Sequence, residues 1–177
     1  MEIKLVGEKI FLRPMDEKDT ELLHEFTKQP ELNKYSGPYN AAISLEKALE
    51  YIQKCKMNIE NQQAYCFGIY LKDTQKLIGS IGFIDLDKKN SKGEIGFWMG
   101  KEYWNGGYMT EAVKLMTNFC LKTLKFHRVY AFFHELNIGV KRVLEKNGYL
   151  FEGELKEALK GDEDKYYNDI IFGIVNN

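Results

Sequence analysis

Cysteine is scarce in this chain. Three cysteines among 177 residues, Cys55, Cys66 and Cys120, lie far apart with no C-x-x-C pair. That fits neither a disulfide framework nor a zinc site, and points to reduced thiols in a cytoplasm. Charge of one sign is also missing: 25 Lys and Arg face 26 Asp and Glu, for a formal net charge of −1. No global field is present to hold a nucleic-acid backbone or an anionic membrane, so neither is expected as a partner. No apolar run reaches the roughly 18–20 residues that span a bilayer, and the opening MEIKLVGEKIFLRP lacks a signal peptide's apolar stretch. There is no internal repeat, low-complexity tract or linker. The three prolines (Pro14, Pro30, Pro38) all fall in the first quarter. What remains is a chain with 44% hydrophobic residues, long enough for one domain over 1–177 with a sizeable core.

The periodicity predicts alternating elements. Ile10 to Arg13 reads as a short strand stopped by Pro14, followed by a helix capped by Asp16 or Asp19 that carries Leu22, Leu23 and Phe26. A second helix opens at Ser44, after an irregular loop from Gln29 to Ala42. Tyr65–Leu71, Leu77–Ile84 and Gly93–Gly100 are apolar or β-branched runs with short polar links, as in an antiparallel meander. From Thr110 the apolar stripe Ala112, Leu115, Met116, Phe119 and Cys120 switches to helical spacing. Arg128–Phe133 is again a strand, so strand, helix and strand form a βαβ unit with parallel strands. A short helix from Val140 to Lys146 stops at Asn147-Gly148, and strands at Tyr149–Glu154 and about Tyr167–Val175 follow. The fold class expected is α/β: a mixed sheet of six or seven strands with helices on both faces.

Chemistry concentrates in three places. In Trp104-Asn105-Gly106-Gly107-Tyr108-Met109-Thr110 a loop with two glycines leads into a helix at the edge of the βαβ unit. Helix starts leave N–H groups unpaired, and glycine lets a ligand approach, so this is a pocket for a phosphate or simply a tight turn. Thr110 is placed to cap that helix or to offer its hydroxyl to a phosphate. No G-x-x-x-x-G-K-[ST] or G-x-G-x-x-G occurs, which argues against a Walker-type NTPase or a dinucleotide dehydrogenase. Asn137, just past a strand, either bonds an amide-bearing ligand or caps the next helix. Glu94, beside Ile95, Gly96, Phe97 and Trp98, is either a general base with a raised pKa or a solvated strand-end charge. His24, His127 and His134 show no spacing for a triad, and no metal ligand set is expected.

Taken in order, these pieces resemble the GNAT superfamily of acyl-CoA-dependent N-acetyltransferases, in its RimJ/RimL-like branch. The resemblance runs through Leu12-Arg13 and Asp19, Glu94 to Trp98, Trp104 to Ala112, Arg128 to Ala131, Asn137, Arg142 to Tyr149, Glu152-Gly153, Gly161 and Asp169. It implies a GNAT fold, acetyl-CoA as co-substrate, and direct transfer to an amine in a ternary complex. It also implies that the strand holding Phe97, Trp98 and Met99 splays from its parallel neighbour. The pantetheine arm would lie between them, bonded by Asn137, and the pyrophosphate would sit on the loop from Trp104 to Met109 and the helix start at Thr110. A backbone N–H near Phe97 to Met99 would meet the oxyanion, and Glu94 would be the base. Many relatives carry Ser three residues after the Asn, where this chain has Val140. Water or Tyr149 would then protonate the leaving thiolate. The acceptor is a small-molecule or peptide amine: a protein N-terminus, polyamine, amino sugar or small metabolite. Gln29–Ala42, the second helix and the loop Glu154–Asp164 would read it, with Tyr35, Tyr39 and Phe83 along that side. The acidic run Gly161 to Asp164 either attracts a cationic acceptor or is a solvated loop. A cytoplasmic homodimer is compatible with the resemblance. The competing expectation is an acyl-CoA-binding regulator without turnover, motivated by Val140.

Overall fold

Short polar links between apolar runs leave each strand little choice but to pair with the one before it. In a computed structural model, residues 3–35, 43–161 and 164–176 are described. Strands β1 (Leu5–Val6) and β2 (Ile10–Arg13) form an antiparallel pair. Helices α1 (Thr20–Thr27), α2 (Pro30–Asn33) and α3 (Leu45–Glu60) follow. The meander β3 (Tyr65–Leu71), β4 (Leu77–Asp87) and β5 (Lys92–Met99) is antiparallel throughout, as the sequence predicts. Then come α4 (Tyr108–Asn118), β6 (Arg128–His134), α5 (Ile138–Lys146), β7 (Leu150–Lys160) and β8 (Tyr166–Val175).

Among the described residues eight strands make one mixed sheet, in the order β1-β2-β3-β4-β5-β6-β8-β7. The α/β mixed-sheet class is as expected, but the strand number exceeds six or seven because the two-residue β1 is too short to leave a periodic signature. β7 also runs on to Lys160, well past the Glu154 expected, so most of the anticipated Glu154–Asp164 loop is strand. The α4 helix begins at Tyr108 rather than Thr110, and its last turn widens into a π-helical turn at Phe119–Thr123. The Gln29–Ala42 segment contains a turn of helix at α2; Tyr39 lies outside the described residues, as do Asp162 and Glu163.

Strand alternation divides the core in two. Ile10, Leu12, Phe67, Phe83, Ile95, Val129, Ala131 and Phe133 face α4 and α5, joined by Ala112, Val113, Met116 and Leu144. Phe11, Cys66, Tyr70 and Leu77 face α1 and α3 with Leu23, Phe26, Ala48, Ile52 and Cys55. The second face is pinned by a buried carboxylate. Asp19 accepts from the Tyr70 hydroxyl at 2.6 Å and from the Asp16 amide at 2.8 Å, while the Arg13 guanidinium stacks on the Tyr70 ring at 4.0 Å. Ser44 caps α3 by accepting from the Lys47 amide at 3.2 Å.

Candidate active site

The strands β5 and β6 are parallel neighbours for only three register pairs: Lys92↔Arg128, Gly93↔Val129 and Glu94↔Tyr130. Both continue beyond that point. β5 stays paired with β4 as far as Met99, and β6 stays paired with β8 as far as His134. The two strands therefore part, leaving one edge of each open. Which groups line the opening follows from the two-residue period of a strand. The Arg128 amide donates to the Ser91 carbonyl on the β6 side, at 3.1 Å, and the Gly100 amide donates to the Ile78 carbonyl on the β4 side, at 3.0 Å. Odd-numbered β5 residues thus turn their backbone groups toward β6. Past the last pair the Ile95 carbonyl and the backbone groups of Phe97 and Met99 face the opening, with the Met99 carbonyl already taken by the Trp104 indole N–H at 2.8 Å.

At the end of β5 the chain turns through Lys101–Tyr103 into the loop and α4. The helix cap is Gly107, in the left-handed region at φ +79°, where a side chain would be strained although nothing within 4 Å would block its Cβ. Glycine has no side chain with which to cap, so the first amides of α4 (Tyr108, Met109, Thr110) face outward with no intrahelical partner. Asn105 is also left-handed, at φ 63°, and Trp104 is exposed. Thr110 does not cap the helix. It sits inside the first turn, and its carbonyl accepts from the Asn147 side chain at 3.1 Å; that same amide also holds the Val143 carbonyl at 2.8 Å. The start of α4 is thereby tied to the end of α5. On its other side Glu111 reaches the turn between β1 and β2, where its carboxylate accepts from the amides of Glu8 and of Lys9. Gly7 leaves room for that contact, since a Cβ there would lie 2.0 Å from Glu111 Oε1 and push the carboxylate aside.

Asn137 caps α5: its Oδ1 accepts from the Val140 amide at 3.2 Å, and its Nδ2 has no partner among the described residues. Of the two roles the sequence leaves open, the helix cap is thus formed, and it uses only the oxygen of the side-chain amide. Val140 packs against the α4 side of the core. Tyr149 is not brought to the opening. It is 1% exposed, its hydroxyl lies 2.7 Å from that of Thr117, and burial pushes its pKa up, so its proton is held inside the core. Phe83 likewise fails to reach the acceptor side, being buried against Phe126 under α4.

Glu94 stands where the strands part, on the α1 and α3 face. Burial raises its pKa, and the nearby carboxylates of Asp85 and Asp169 raise it further, to about 7. By alternation Tyr130, Phe132 and His134 of β6 share that face. The His134 Nδ1 accepts from the Leu136 amide at 3.1 Å, its ring centre lies 4.5 Å from that of Tyr167 and 5.4 Å from that of Tyr35, and Asp169 is its register partner. Burial lowers the His134 pKa and raises that of Asp169. None of the β6 and β8 side chains was singled out for chemistry from the sequence. The period-2 spacing of Tyr130, Phe132 and His134 carries that signal, but only once the parallel register with Glu94 is known.

Comparison with known proteins gives one consistent result. The sequence pattern of the family described as "Acetyltransferase (GNAT) domain" matches residues 9–150. The uncharacterized N-acetyltransferase YoaA of Bacillus subtilis (strain 168) is 27% identical over 94% of this chain and 93% of its own. Among solved structures, a GNAT-family acetyltransferase from Bacillus anthracis superposes with a TM-score of 0.84 at 25% identity, covering 98% of this chain and 99% of that one. RimL, a ribosomal L7/L12 alpha-N-protein acetyltransferase in complex with coenzyme A, shares the fold with a TM-score of 0.89 at 18% identity, covering 98% of each chain.

Proposed function

This chain belongs to the GNAT acetyltransferase family, and from that premise we propose that it transfers the acetyl group of acetyl-CoA to a primary amine by direct attack in a ternary complex. One observation carries the proposal: β5 and β6 stop pairing after Glu94↔Tyr130 while both strands run on. Open strand edges offer unpaired backbone groups, and the amides of a pantetheine arm pair with them as an added strand would. The free Asn137 Nδ2 is the side-chain donor for that arm. The uncapped amides of Tyr108, Met109 and Thr110, behind Gly106 and Gly107, suit the pyrophosphate. Phe97, Trp98 and Met99 border the thioester, with Trp104 and Asn105 on the outer rim of the loop and Val140 beneath it. RimL is solved with coenzyme A, and a Microcin C7 self-immunity acetyltransferase of the same fold with acetyl-CoA.

The acceptor arrives as an ammonium, with a pKa near ~10. Glu94, with its pKa pushed up to about 7, is ionised in part at neutral pH and takes the proton, directly or through one water. The neutral amine attacks the thioester carbonyl. The new C–N bond forms, negative charge develops on oxygen opposite the Phe97 or Met99 amide, and the C–S bond breaks. A thiolate of pKa about 8.5 is a fair leaving group and takes its proton from water. Val140 has no hydroxyl to give, and Tyr149 is enclosed. Holding amine and thioester together supplies much of the rate.

The acceptor is a peptide N-terminus, polyamine or other small amine, bound on the α1–α3 face beside Glu94. The whole chain acts as one cytoplasmic domain, alone or as a homodimer. No helix among the described residues is long and apolar enough to cross a membrane. The test is a panel of amine acceptors scored by CoA thiol release, with mass spectrometry of the product. Transfer to one amine class supports the reading. Tight CoA binding with no thiol release from any acceptor replaces it with the binding regulator that Val140 suggests.

A further inference from the structure

The turn between β1 and β2 lies against the loop that leads into α4, although about a hundred residues separate them in the chain. Its geometry is fixed from two directions. The Glu111 carboxylate accepts from the Lys9 amide at 3.1 and 3.3 Å and from the Glu8 amide, and Gly7 gives the carboxylate room. From the other side the Lys72 amide donates to the Lys9 carbonyl at 3.0 Å, and Lys72 Nζ donates to the Gly7 carbonyl at 3.0 Å. What this rigid turn delivers is one side chain. Lys9 Nζ donates to the Gly106 carbonyl at 3.4 Å and lies 6.0 Å from the centre of the Tyr108 ring. Among the described residues Lys9 forms no ion pair, whereas Lys101, a few residues before the loop, is paired with Glu31.

An ammonium kept next to Gly106, one residue from the Gly107 cap and its uncapped amides, has no carboxylate to neutralise. Its single hydrogen bond, to a neutral carbonyl at long range, is easily exchanged for a stronger one. A carboxylate in the first turn of α4 would by itself oppose an anion at that helix end. Glu111 is turned onto two backbone amides of the turn instead, and the same contact brings Lys9 forward. We propose that Lys9 is a binding residue for the pyrophosphate of coenzyme A, held at the α4 loop by the Glu111–Gly7 clamp. The proposal rests on the loop being the pyrophosphate site. Lys9 then completes the site with a charge that the loop lacks: backbone amides orient the phosphates, and the lysine neutralises them.

Isothermal titration of the full chain with CoA, dephospho-CoA and pantetheine tests this. Lys9→Gln removes the charge and leaves the backbone amide on Glu111, so the melting temperature should not change. CoA and dephospho-CoA should each bind about tenfold more weakly, the scale of one partly exposed charge-assisted hydrogen bond. Pantetheine, which carries no phosphate, should be unaffected. Lys9→Arg should recover most of the affinity, and the loss should shrink as salt screens the contact. Unchanged CoA affinity in Lys9→Gln overturns the proposal, as does a loss confined to CoA, which would assign the lysine to the 3′-phosphate. The loop reading fails separately, if Gly107→Asp binds CoA as the unaltered protein does.

Discussion

The property that suits Glu94 to its proposed role, a raised pKa, also carries a cost in stability. Its raised pKa has three sources: burial first, then the charges of Asp85 and Asp169. Glu94→Gln should lower kcat by about 10²–10⁴ with little change in CoA affinity, and the limb of the pH–rate profile that rises through about 7 should disappear. Stability should respond with a definite sign. A carboxyl that holds its proton more tightly when folded stabilises the protein at acid pH, and loses that stability as pH climbs from the ordinary carboxylate range through about 7. The Gln variant should therefore gain melting temperature relative to the native chain at pH 8 and not at pH 4. Gly107 is sensitive for a different reason. Its φ of +79° disfavours any side chain, and a carboxylate there would face the phosphates, so Gly107→Asp should weaken CoA binding by more than tenfold, read by titration. Val140→Ser should leave kcat unchanged, because a thiolate departs without a protein acid. A higher kcat in that variant would show that thiolate protonation limits turnover.

Among the elements, the meander β3–β5, the α3 cap at Ser44 and the parallel β5–β6 relation were all legible in the sequence. Period-2 runs, an N-cap serine and a change to helical spacing are local signals. Those that escaped depend on distant partners. The β1 strand owes its existence to pairing with β2, and β7 continues past Glu154 because β8 offers a partner as far as Tyr166, across register shifts at Phe151/Gly153 and Leu155/Leu159. The sequence reading offers Tyr149 as a proton donor to the thiolate and Phe83 as a residue of the acceptor side; burial in the core on the α4 face encloses both. Asn137 shows the reverse case: the cap that the sequence offered as one of two readings is formed by Oδ1 alone, which leaves Nδ2 for the proposed ligand. The α1–α3 face depends on an element-level tie, the Tyr70–Asp19 hydrogen bond beneath Arg13. Tyr70→Phe strips a donor from a buried carboxylate and should cost about 1–3 kcal/mol in chemical denaturation.

At the scale of the whole molecule, the resemblance noted in the sequence and the family match agree because so many separated segments must fall in order along one sheet. The ligand that this sheet is proposed to take should stabilise it. At CoA concentrations about 100 times its Kd, binding adds about 2.7 kcal/mol, which for a chain of this size raises the melting temperature by roughly 5–10 °C. No shift under those conditions would leave the parted strands without their ligand. Those strands have one more consequence. With three register pairs as the only seam between β5 and β6, the sheet is two leaves hinged at one end. Coenzyme bound along the free margins would act as their stitching, so the Phe97 and Met99 amides should exchange with deuterium quickly in the bare enzyme and slowly once it is loaded.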